Sequence, residues 1–172
     1  NWHFLFDSLR GVDKRLSSNA NNLEEGATGL DSFDDNGFTV DHEASNQDMN
    51  ASAHTYVAWN WKANGGTATA TISESGDNPA ASVQANPTAG FSIITYTGTG
   101  DAGTIAHGLG VVPTMMIIKN RDVNDAWAIY QGANTTAPAT DYLVLNTTAA
   151  TVDAATYWAD TAPTSSVFTV HD

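Results

Sequence analysis

The chain has 172 residues, no cysteine and a formal net charge of −13. That length suffices to bury a real hydrophobic core, while the missing thiols exclude a disulfide framework and a thiolate zinc site. Only Lys14, Lys62, Lys119, Arg10, Arg15 and Arg121 are basic, against nineteen acidic residues, so nucleic acid is a poor partner candidate. No run approaches the roughly 20 apolar residues of a membrane span, and a soluble protein without membrane insertion is expected. Five Trp, six Phe and five Tyr, with many Val, Ile and Thr between small polar residues, predict an all-β fold.

In chain order, the first strand is expected over residues 2–6. "DSFDDNG" (31–37) invites a calcium reading, but Phe33 stands where a loop ligand is needed and no Glu closes the frame, so a turn ending at Asn36-Gly37 is expected. "TYVAWNWKA" (55–63) gives the clearest strand pattern, with Val57, Trp59 and Trp61 on one face and Tyr56, Ala58, Asn60 and Lys62 on the other. That alternation assigns Trp59 and Trp61 to the core. Residues 63–89 are poor in large apolar side chains and read as a linker or surface connection, with one small edge ribbon at "TATATIS".

"FSIITYTG" (91–98) and "TMMIIKN" (114–120) are expected as core strands. Between them, "TGTGDAG" (97–103) lacks a following Lys-Ser/Thr and reads as a β-hairpin turn, not a phosphate loop. In "HGLGVVP" (107–113) two glycines allow a tight connection at positive φ, and Pro113 stiffens entry into the next strand. Further strands are expected at 126–130, 142–146 and 166–170, with one short helical turn within 148–158.

Chemistry is sparse. His3, His42, His54, His107 and His171 show no metal-ligand spacing, no Ser occupies a Gly-x-Ser-x-Gly elbow, and Glu24, Glu25, Glu43 and Glu74 lie in polar, loop-like sequence. No catalytic, metal or cofactor residue is assigned, and a non-enzymatic protein is expected. Trp and Tyr on a β scaffold stack on sugar rings when exposed, with Asn and Asp bonding to hydroxyls. The candidate ligand contacts are Asn120, Arg121, Asp122 and Asn124, in the polar turn before Trp127; the alternative is an ordinary hairpin turn. Asn134 and Asn146 open formal glycosylation sequons of the kind chance supplies in a chain rich in Asn and Thr.

The N-terminal and C-terminal segments share an order of features. Trp2 matches Trp127, Leu16 and Asn19 match Leu143 and Asn146, Phe33 matches Trp158, and "FTV" recurs at 38–40 and 168–170. Offsets of 125, 127, 127, 125 and 130 suggest duplication of one supersecondary unit. The expected layout is a β-rich lobe at 1–62, a linker at 63–89 and a second lobe at 90–172, cut from a longer repetitive polypeptide.

The stretch from "YTGTG" (96–100) through "HGLGVVP" and "IIKNRD" (117–122) to Trp127 resembles a segment that recurs in tail-fibre and other virion structural proteins of tailed phages, particularly marine ones. "LFDSLRG" (5–11), "FDDNGF" (33–38) and "TYVAWNWKANGG" (55–66) resemble its companion block. The resemblance implies concatenated β-rich modules of lectin-like or jelly-roll-like antiparallel sandwich type on the surface of an extracellular particle. Because each lobe reads as incomplete, strands from neighbouring modules or copies are expected to complete the sheets, and a homo-oligomer is expected, trimeric on fibre analogy, in contact with other virion proteins. Binding of host-surface glycan is the alternative role, and no enzymatic activity follows.

Overall fold

The structure is a computed structural model that describes residues 2–26, 29–40, 49–64 and 67–171, so His42 and Glu43 lie outside the described residues. The chain is all-β. The first meander is β1 (Phe4–Asp7), β2 (Gly11–Ser17) and β3 (Glu25–Gly26), followed by the hairpin of β4 (Leu30–Asp34) and β5 (Gly37–Val40). In that hairpin Asp34 pairs with Gly37, which leaves Asp35 and Asn36 as the turn. A sheet ordered β6-β7-β8 comprises Ala70–Ile72, Ala81–Asn86 and Phe91–Tyr96. The second meander, β10 (Met115–Lys119), β11 (Trp127–Gln131), β12 (Asp141–Val144) and β13 (Val152–Asp153), is four-stranded. β9 (Gly103–Ala106) pairs with β14 (Val167–Val170), and α1 (Ala155–Trp158) is a single turn of helix. All strand pairings among the described residues are antiparallel.

Strand alternation organises the core. Ile105, Phe168 and Val170 from β9 and β14 meet Ile72, Ala81, Ile94 and Tyr96 from the β6–β8 sheet. Met116 and Ile118 of β10 pack against this cluster and also against a second one formed by Ala128, Tyr130 and Trp158. One hydrophobic interior therefore runs from β6 to α1. Each large apolar side chain fully buried in it contributes about 1.5–3 kcal/mol.

The two meanders share a register. Lys14 pairs with Gly26 and Arg15 with Glu25; adding 127 to each number gives the ladder Asp141 with Asp153 and Tyr142 with Val152. Their entrances match as well. Asn19 Oδ1 accepts from His3 N at 2.8 Å and Ser18 N donates to His3 O at 2.9 Å, while Asn146 Oδ1 accepts from Trp127 N at 3.2 Å and Leu145 N donates to Trp127 O at 3.2 Å. The backbone counterpart of Trp127 is thus His3, one residue beyond the Trp2 that side-chain identity pairs with it.

Three expectations need correction. Residues 81–86, inside the expected linker, form β7, the central strand of its sheet, with Val83 and Gln84 fully buried. Its small residues gave little hydrophobic signal, but they let neighbours approach closely: a Cβ on Gly108 would lie 2.8 Å from Ala85 Cβ. Conversely, residues 54–63 form no strand, and Trp59 and Trp61 are 76% and 65% exposed, because no ladder partner lies beside them among the described residues. Trp2 is also exposed, whereas Trp127 is buried. Finally, 97–103 connects β8 to β9, which lie in different sheets, so it is a crossover and not a hairpin turn.

The "HGLGVVP" turn forms as its glycines predict, with Gly108 and Gly110 at φ +72° and +73°. Buried His107 fixes it from inside. Its Nδ1 accepts from Leu109 N at 3.2 Å, which leaves Nε2–H to donate to Thr164 O at 3.1 Å.

Candidate functional site

The shared register brings two equivalent turns, one after β2 and one after β12, to a common cleft of about 460 Å³. His3, Ser18 and Asn19 line it from the first meander, and Leu145, Asn146, Thr147 and Thr148 from the second. Trp59 completes the lining. It is a shallow groove open to solvent, with Trp59 76% exposed, and not an enclosed pocket.

Rigid anchors hold both turns. Asn19 spends Oδ1 on the N–H of His3, just before β1, and Asn146 spends its own on the N–H of Trp127, the first residue of β11, which fixes each amide plane. Asn146 Nδ2 has no partner among the described residues, Thr147 Oγ1 accepts from Ala149 N at 3.2 Å with its own proton left to donate, and the Thr148 hydroxyl makes no hydrogen bond there. Among the described residues no Asp, Glu, Lys or Arg lines the cleft. The arrangement offers an open aromatic face with neutral donors around it.

Trp127 locks the meanders together behind this opening. Its indole Nε1–H is shared between Ser17 O at 3.1 Å and Ala20 O at 2.9 Å. The polar turn before it adds three more ties. Arg121 donates to Glu24 through Nε at 2.8 Å and Nη2 at 2.9 Å, Asn124 Oδ1 accepts from Leu23 N at 2.9 Å, and Arg121 O accepts from Glu24 N at 2.8 Å. Arg10 donates to the same Glu24 at 2.9 Å. The Arg121 hydrogen bonds, followed by those of Arg10, outweigh desolvation and hold the Glu24 carboxyl down at about 2.

The four residues proposed from sequence as ligand contacts are therefore placed as follows. Arg121 and Asn124 bind the first meander, Asn120 closes its own turn by accepting from Asp122 N at 3.0 Å, and Asp122 is exposed. None of them lines the Trp59 cleft. Arg121 also borders a smaller cleft of about 270 Å³ beside Thr71, Ile72 and Tyr96. The correspondence of Asn19 with Asn146 is the signal for the junction in the sequence, and the strand-like alternation that places Trp59 in the core conceals it.

Among the described residues no three His, Asp or Glu side chains converge to hold a metal ion. No helix among them is long and apolar enough to cross a membrane.

The fold and the groove define an all-β module with two antiparallel meanders of matching register and a shallow groove where their equivalent turns meet. A family model described as a domain of unknown function, DUF7483, matches residues 1–172, and the chain belongs to that family. No curated protein and no solved structure matches the chain.

Proposed function

We propose that the chain is a non-enzymatic structural module of a tailed-phage virion, a fibre, tail or capsid-surface component assembled by protein contacts. The supporting observation is the outer face of β10. This strand lies at the edge of its sheet, and Met115 and Ile117 point outward at 51% and 46% exposure beside exposed Val111 and Val112. An apolar edge strand left in water invites uncontrolled pairing and is ordinarily covered. Neighbouring copies, three around a fibre axis by analogy, or other virion proteins supply that cover. The facing of β6–β8 against β9 and β14 is consistent with the lectin-like sandwich that such modules imply.

Electron cryomicroscopy of the intact particle tests this reading. The expected result is this chain on the virion with Met115, Ile117, Val111 and Val112 against a neighbour. A virion without the chain, or a β10 edge standing free in every copy, overturns it.

A second reading, recognition of a host-surface glycan, is favoured by one observation, the open Trp59 face in the junction cleft.

A further inference from the structure

We infer that the junction cleft is a carbohydrate site for a neutral sugar, with Trp59 as its stacking platform. The inference rests on the recognition reading and is independent of assembly through β10.

Three features select this ligand class. The first is the ring: Trp59 is 76% exposed yet lines a cleft, whereas the nearby Trp61 stacks on Phe91 with centroids 6.0 Å apart. A sugar presents a flat face of polarised C–H groups, which suits the negative face of an indole. The second is hydrogen-bonding capacity. Asn146 Nδ2 and the hydroxyls of Thr147 and Thr148 are neutral groups suited to sugar hydroxyls, on a turn already fixed by the bond from Trp127 N to Asn146 Oδ1. The third is charge. Among the described residues no Lys or Arg lines the cleft, and His3 is its one ionisable side chain, in a chain whose formal net charge is −13, so phosphate, sulfate and sialic-acid ligands meet repulsion with no permanent cation to offset it.

The pseudo-symmetry adds a reason for the site's location. Equivalent turns from two copies of one meander converge there, so the cleft exists only once both copies are docked by Trp127 and Glu24.

The test is saturation-transfer-difference NMR on the whole 172-residue chain with the methyl glycosides of glucose, galactose, mannose and N-acetylglucosamine, and with sialyllactose as the anionic arm. The expected result is saturable transfer to ring C–H protons of at least one neutral glycoside. Affinity should fall about tenfold or more in Trp59→Ala, the ~1.4 kcal/mol scale of a lost aromatic contact. Trp61→Ala should bind as the parent does, and Thr148→Val should weaken binding. Because Trp59 is exposed, its variant should keep the parent far-ultraviolet circular dichroism and melting temperature. Silence from all four neutral glycosides, transfer from sialyllactose alone, binding unchanged in Trp59→Ala, or equal loss in the Trp59 and Trp61 variants each overturns the inference. None of these outcomes bears on where β10 sits in the particle.

Discussion

Arg121 and Glu24, 97 residues apart in sequence, form a two-pronged ion pair at 2.8 and 2.9 Å that ties the turn before β11 to the loop before β3. Glu24 is largely buried, and Arg10 Nη1 shares its Oε2 with Arg121 Nε. A carboxylate held at about 2 in the folded chain stabilises the fold at every pH above its unfolded value near 4.5. That contribution is lost as pH falls from about 4.5 toward 2, because the unfolded chain takes up the proton first. Denaturant titrations at stepped pH should show this decline. Glu24→Gln should flatten it and lower stability at neutral pH by about 1.5–3 kcal/mol, the range for hydrogen bonds to charged groups.

Gly103 opens β9 where a Cβ would stand 2.0 Å from Asp77 O, a backbone atom with little freedom to move. Gly103→Ala should therefore unfold the chain or reduce its stability by about 2 kcal/mol or more. Gly37→Ala is the control, since nothing lies within 4 Å of its added Cβ. Thermal melts should separate the two by many degrees.

Gln84 is fully buried on β7, and its Oε1 accepts from Ser8 Oγ at 2.7 Å and from Asn64 N at 3.3 Å. Gln84→Leu keeps the approximate volume but takes this acceptor from both the half-buried Ser8 hydroxyl and the Asn64 N–H. The expected cost is about 1–3 kcal/mol, measured by chemical denaturation.

Trp127 and Trp59 should behave oppositely. Trp127→Phe removes an indole N–H shared by two carbonyls and leaves a void, for a loss of about 2–4 kcal/mol. Trp59→Phe should leave the melting temperature within a degree or two, since its ring is mostly in solvent.

The sequence by itself determined the all-β class and most of the strands that carry large side chains. Phe91 to Tyr96, Met115 to Lys119 and Trp127 to Gln131 are legible because β-branched and aromatic residues cluster between Gly and Pro. It also carried the repeat, visible as Leu16-Asn19 against Leu143-Asn146, and the positive-φ glycines of the 107–113 turn. Tertiary structure alone decided burial. The alternation in 55–63 has a strand's period, but a period only says which side chains share a face, and a strand also needs a partner on which to build a ladder. Among the described residues Trp59 has none and lines an open cleft, while Ala81, Val83 and Ala85, with few carbons between them, are buried because strands flank them on both sides. The partner of Arg121 was equally invisible in the sequence, since a pairing across 97 residues is fixed by how the two meanders dock and not by local spacing.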